Sequence, residues 1–428
     1  MEMADHTTLR LMELLLTAEI VNHEISLGIP DLTPDHREAF SVGKNGSELN
    51  RPFIISNSIA KRVLGIEDAH ELVRTNPFVG FDDFGQRLSI TALDGAARWF
   101  LDRGGRSSAE ANPALAYYYE KAGIKGISYD EAREKNPLYE DSRTFLERRV
   151  APIATESEEM KEALGLVTLR APEEIEESLE TFVATPEQLE VIGKIQVALK
   201  NQEYLRKQQI YQIGRLLFLG PPGTGKTSFA LSLAKVLHMP ILEVRLSMIT
   251  SQYLGETSKN IDRIFEIAKR LAPCILFIDE FDYVARARDS DDHGAMKRAV
   301  NTLLMSIDHI SLIRTGVLFI GATNHPGILD EAVWRRFDEV LPFSLPDPRM
   351  REAILRAITR SIDISMDLAT LAIRTEGFSG ADLRLMIKEA VMVALIDGRE
   401  EIAEMDIEQG MLHVDRRNAL RKSGLVSI

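Results

Sequence analysis

Between about residues 181 and 346, short apolar runs alternate with stretches that keep helical spacing. The runs are 216–219, 241–246, 275–278, 317–320 and 339–343, each long enough for a buried strand and too short for a helix. Between the first two, Ser228 to Leu237 places its apolar residues with a helical period. Strands separated by helices imply an α/β domain: a parallel sheet with helices on both faces. After Pro346-Asp347-Pro348 the strand signal stops, and spacings such as Ile354, Leu355 and Ile358 predict a smaller all-helical domain. The first part of the chain also reads as mainly helical. Leu9, Met12, Leu16 and Ile20 share one helix face, and 91–101, with Trp99 and Phe100, predicts another buried face. Residues 156–180 hold nine Glu against one Lys and one Arg, the composition of a solvated helix or linker. The expected organisation is therefore 1–155, mainly helical; 156–180, an acidic linker; 181–346, α/β; and 347–428, helical.

Composition narrows the classes. A chain of 428 residues with 45% apolar content can build several cores. Its net charge of −14 argues against a general nucleic-acid-binding surface. No apolar stretch approaches the roughly 18 residues of a membrane span, and Met1-Glu2-Met3-Ala4-Asp5 lacks the basic region of a signal peptide, so a cytoplasmic protein is expected. Cys274, the single cysteine, reads as a small core residue. The nine histidines show no metal-ligand spacing.

The chemistry concentrates in two segments. Gly220-Pro221-Pro222-Gly223-Thr224-Gly225-Lys226-Thr227 follows a strand and opens a helix at Ser228, the context of a phosphate-binding loop, or P-loop. Its glycines let backbone N–H groups close around a polyphosphate, Lys226 adds a point charge, and the Thr227 hydroxyl can ligate Mg²⁺. The apolar run from Cys274 then ends in Asp279 and Glu280. The first is suited to the Mg²⁺ side of the site and the second to polarising an attacking water, the division of labour that hydrolysis needs.

Further motifs follow in order: Tyr253-Leu254-Gly255, Asn324 at a strand end, Arg335-Arg336-Phe337, and Gly377-Phe378-Ser379-Gly380-Ala381-Asp382. Together with the P-loop and the Asp-Glu pair this set resembles the AAA family of ATPases over about 181–428. The resemblance implies that ATP and Mg²⁺ are bound, that Asn324 orients the attacking water, and that Arg335 and Arg336 act as arginine fingers in a neighbouring subunit's site. It further implies that Gly380 and Ala381 belong to a lid over the nucleotide, with Ser228 completing the loop, and that Tyr253 and Leu254 form a pore loop gripping a polypeptide. A second pore loop would fall at Asp291-Asp292-His293-Gly294. The expected protein is a homo-hexameric ring that remodels, unfolds or disassembles protein substrates recruited by its N-terminal region. Alternatives are a nucleic-acid-processing ATPase and a nucleotide-switched scaffold. The Val333-Trp334-Arg335-Arg336-Phe337 spelling resembles the spastin, katanin and ESCRT-disassembly group. One departure is the lack of the Asp-x-x-Gly segment expected near Glu180 to Pro186, where Phe182 and Val183 are left to wall the adenine.

Overall fold

Alternation along the strands decides which helices they meet. In the computed structural model, residues 6–40, 49–82, 87–136, 138–179, 182–246, 257–282, 294–329, 331–362, 364 and 366–422 are described. The chain separates into two compact units, Met1–Arg148 and Arg149–Ile428.

The second unit is built on a six-stranded sheet of order β4-β6-β7-β8-β5-β9. The strands are β4 (Thr168–Arg170), β5 (Arg215–Leu219), β6 (Ile241–Arg245), β7 (Cys274–Asp279), β8 (Val317–Thr323) and β9 (Glu339–Pro342). All neighbours run parallel except β4, which lies antiparallel on β6 with Leu169 opposite Leu242. A central strand buried on both faces needs apolar residues throughout, and every residue of β8 is buried. Successive side chains alternate. Leu276, Ile278 and Phe319 pack with Ile264 and Phe265 of the helix Thr257–Arg270 and Leu303 of the helix Gly294–Asp308. On the other face, Phe218, Phe277 and Ile320 meet Ile192 of the helix Pro186–Lys200 and Phe229 of the helix Lys226–Val236. The five expected strands are present. β4 was not expected: with the helix Glu158–Gly165 it falls inside the acidic stretch read as a linker, so this stretch carries structure of its own.

Beyond β9 the helices Pro348–Ile358, Leu368–Arg374, Gly380–Ile396 and Glu404–Lys422 enclose a separate small core of Leu355, Leu371, Leu383, Met386 and Ile387. Ser379 caps the third of these, accepting from Asp382 N–H while the Asp382 carboxylate accepts from Ser379 N–H. Buried Arg351 donates to the carbonyls of Ala372 (2.8 Å) and Pro346 (2.7 Å), fastening the helices to the segment that leaves the sheet.

In the first unit the helix His6–His23 buries Leu11, Met12, Leu15, Leu16 and Ile20, and it packs against the helices Leu93–Asp102 and Pro113–Lys121. Phe100 is fully buried there, whereas Trp99 is half-buried. The unit also holds a small antiparallel sheet of order β1-β3-β2, made of β1 (Ile55–Ser56), β2 (Val79–Asp82) and β3 (Arg87–Ile90), which the helical reading did not foresee. No helix among the described residues is long and apolar enough to cross a membrane.

Candidate functional site

Parallel register brings the chemistry to one edge of the sheet. Leu219 pairs with Thr323 and Ile278 with Gly321, so the loop after β5, the end of β8 and the carboxylates ending β7 share the carboxyl edge of three adjacent strands. Open α/β sheets bind ligands at this edge.

The P-loop is shaped by glycines that no other residue replaces. Gly220 has φ of 151°, and a Cβ on it would stand 2.0 Å from the carbonyl oxygen of Phe343, whose own N–H donates to Leu219. Gly223, with φ of 81°, passes under the helical domain: Ala381 N–H donates to its carbonyl at 3.1 Å, and a Cβ would meet Ser379 Oγ at 2.7 Å. The helix opening at Lys226 directs its first N–H groups towards the loop, an arrangement suited to anions.

Lys226 is only 6% exposed. Its Nζ donates to the carbonyls of Gly220 (2.7 Å) and Pro221 (2.9 Å) and to Asn324 Oδ1 (2.8 Å). Burial lowers its pKa, opposed by the charges of Asp279 and Asp282. The Asp279 carboxyl is shifted upward, again chiefly by burial, with the Glu280 N–H bond to its Oδ1 (2.8 Å) and the Lys226 charge acting in the opposite direction. Both shifts record ionised groups short of charge compensation. A polyphosphate beside Lys226 and a hard cation beside Asp279 would supply it. A carboxylate and the Thr227 hydroxyl are the oxygen donors that Mg²⁺ takes, and this ion usually completes its shell with phosphate oxygens and water.

Glu280 is exposed and holds a left-handed backbone (φ of 56°), a strained geometry for a residue with a Cβ. The next residue anchors the turn: Phe281 N–H donates to Ala322 O at 2.8 Å, and its fully buried ring meets Phe319 and Phe337. On β8, buried Thr323 donates to Asp282 Oδ1 at 3.1 Å and accepts from His325 N–H, which fixes the strand tip carrying Asn324.

These groups line a cavity of about 400 Å³. Its walls include Gly223, Thr224, Gly225, Lys226, Thr227, Ser228, Asp279 and Asn324, together with Gly380 and Ala381. Phe182 and Val183 also line it, and Phe182 touches Phe229 of the core at 5.5 Å between ring centres. Met350, Ile354, Ile358 and Arg384, all from the helical domain, line the cavity as well. Sequence reasoning saw Ile354 and Ile358 only as a helix face; the signal in reach was their i, i+4, i+8 spacing with Met350, a single stripe on one side of a helix. Arg384, Thr323 and Asp282 were missed altogether.

Arg335 and Arg336 do not line this cavity. The Arg335 side chain is 72% exposed and bonded to Glu331 one turn earlier. Arg336 is 24% exposed and donates to the carbonyls of Leu304 and Ala332 while pairing with Asp308. Tyr253 and Leu254, like Asp291, Asp292 and His293, lie outside the described residues.

Comparison with known proteins fits this geometry. The model of the ATPase family associated with various cellular activities (AAA) matches 216–345, and that of the AAA+ lid domain matches 365–409. An uncharacterized AAA family ATPase of Sinorhizobium fredii is 39% identical over 224 residues, which is 51% of this chain and 67% of that protein. An ATP-dependent zinc metalloprotease FtsH 2 of Symbiobacterium thermophilum is 35% identical over 58% of this chain and 44% of its own length. A proteasome-activating nucleotidase of Methanococcus vannielii is 33% identical over 55% of the chain and 59% of its own length. The chain thus spans less than two thirds of the length of the latter two relatives. With the P-loop, the paired carboxylates, the Asn324 strand tip and the helical lid in place, and with that extent of identity to the Sinorhizobium protein, the chain belongs to the AAA family of ATPases.

Proposed function

We propose that the chain hydrolyses ATP and, as one subunit of a homo-hexameric ring, spends the energy on remodelling, unfolding or disassembling protein substrates. The observation that carries the catalytic half is the convergence of Lys226, Asp279 and Asn324 on one cavity at the strand ends. Family membership implies ATP hydrolysis, and each side chain has a task in it.

The backbone of Gly220 to Gly225 and Lys226 hold the phosphates, and the apolar far end takes the base. Thr227 and Asp279 hold Mg²⁺, which supplies charge neutralisation on the transferring phosphoryl group. Glu280 accepts the proton of the attacking water, and Asn324 orients that water. Lys226 trades its bond to Asn324 for phosphate, which couples loop occupancy to the position of Asn324. Arg335, exposed and paired with Glu331 of the helix it follows, is the finger that reaches the neighbouring subunit's phosphates. Arg336, tied to Leu304 and Asp308, braces the segment carrying it.

The printed names of two relatives, a proteasome-activating nucleotidase and an ATP-dependent metalloprotease, favour protein as the substrate class. They are not of the spastin and katanin group that the Arg335-Arg336-Phe337 spelling resembles. Among the described residues no cluster of three or more His, Cys, Asp or Glu is arranged to hold a metal ion. Tyr253 and Leu254 are the pore loop, and residues 1–155 recruit the substrate. The domain limits at 155, 180 and 346 belong to this reading.

The test is capture and release. Glu280→Gln, loaded with ATP, retains substrates that co-purify with it; the wild type then unfolds or extracts them as phosphate is released. Tyr253→Ala keeps phosphate release and loses that work. Unfolding by Tyr253→Ala at the wild-type rate would remove pore threading, and turnover stimulated by DNA or RNA with steep salt dependence would replace the protein substrate with a nucleic acid.

A further inference from the structure

The cavity has two chemically different ends. Lys226, Thr227, Asp279 and Asn324 surround the phosphate end. At the other, Met350, Ile354 and Ile358 form a stripe about 12 Å long on the helix Pro348–Ile358, with Phe182 and Val183 also lining the cavity. Apolar walls of this kind sandwich a flat base and read none of its edges.

Among the helical domain's residues lining the cavity one is charged. Arg384 follows Ala381 by one turn on the helix Gly380–Ile396 and lines the same cavity. Four other arginines of the helical domain are committed: Arg351 to Pro346 and Ala372, Arg356 to Glu352, Arg374 to Glu404 and Glu408, Arg399 to Asp406; none of these lines the cavity. Arg384 has no hydrogen-bond, ion-pair or ring partner among the described residues, and it is exposed at the cavity wall.

A guanidinium has five donors and no acceptor. Guanine offers such a fork two acceptors, O6 and N7, side by side; adenine offers N7 beside an amino donor that arginine cannot satisfy. We propose that Arg384 is a specificity-determining residue of the nucleotide pocket, its guanidinium meeting the edge of the base, so that the site accepts GTP alongside ATP. This rests on the reading of the cavity as a nucleoside triphosphate site and names which bases it takes.

Equilibrium binding of ADP and GDP to the full chain, measured by calorimetry without turnover, tests it. The wild type binds GDP within about tenfold of ADP. Arg384→Ala weakens GDP by about tenfold or more and ADP by less than about threefold, the difference expected of a lost bidentate contact. Arg384→Lys, a point charge without the fork, falls between. Lys226→Ala loses both nucleotides. Preference of the wild type for ADP by more than about a hundredfold overturns the proposal, as does equal weakening of both nucleotides by Arg384→Ala, which would place the residue on the sugar or phosphates, or no change in either. Failure of the wild type to bind either nucleotide overturns the nucleotide-site reading itself, so the two failures are distinguishable.

Discussion

The two units of this chain bury comparable kinds of side chain and teach different lessons about where function resides. In Met1–Arg148 a helix with apolar residues on most of its surface, His6–His23, organises a core closed by Phe100 and Tyr119. Buried Asn112 is tied into that core: it caps the helix Pro113–Lys121 and donates to Glu13 and Thr17. In Arg149–Ile428 the polar groups at the strand tips are under tension instead. Buried Lys226 and partly buried Asp279 have pKa values displaced towards neutrality, Glu280 is held at positive φ, and Gly220 tolerates no Cβ. A satisfied network stabilises its own fold. A site whose charges are short of compensation, held in place by a rigid sheet, is what a ligand is needed to complete.

Replacing Gly220 with Ala in the second unit has the largest expected effect. The added methyl must displace the Phe343 carbonyl, so the P-loop moves and ATP binding falls below detection by calorimetry, while the first unit keeps its structure. Next is Arg335→Ala, expected to lower ATP hydrolysis by roughly 10³-fold if it serves a neighbour's phosphates. Mixing Arg335→Ala subunits with Lys226→Ala subunits restores part of the activity, because each supplies what the other lacks; co-assembly without recovery would end the shared-site reading. Arg336→Ala separates the pair further: it loses bonds to Leu304, Ala332 and Asp308, so its melting temperature falls where that of Arg335→Ala does not.

In the first unit Phe100→Ala empties a fully buried site and costs about 3–5 kcal/mol of that unit's stability. Its ATP hydrolysis stays near wild type; a matching loss would mean that the two units are not separate in function. The smallest effect concerns the helical domain. Hydrogen bonds from Arg399 push the Asp406 carboxyl down to about 2, below its unfolded value. The pair's contribution is therefore present above about pH 4 and is lost as the pH falls through about 2. Asp406→Asn removes this acid-sensitive component, read as a flatter dependence of lid unfolding on pH below about 4.

The same contrast governs what the sequence discloses. β5, β6, β7 and β8 are legible because a strand buried on both faces needs an unbroken apolar run, and the P-loop because its glycines and Lys226 each answer a separate chemical demand. Short edge strands leave no such trace. β4 has three residues inside a Glu-rich stretch, β1 has two, and β2 contains Gly80 and Asp82, so pairing partners rather than composition make them strands. Arg384 escaped for another reason: one arginine on an exposed helix face looks like solvation until the fold sets it on the wall of the cavity that Met350 and Ile354 also line.

The central claim is that the strand-tip site hydrolyses ATP with Glu280 as the group that activates water. Phosphate release and ATP affinity measured on the same Glu280→Gln preparation test it most directly. The account predicts affinity within about threefold of wild type and phosphate release reduced by about a hundredfold or more, since a positioned base contributes on the order of 10²–10⁴. Wild-type turnover in Glu280→Gln would contradict it.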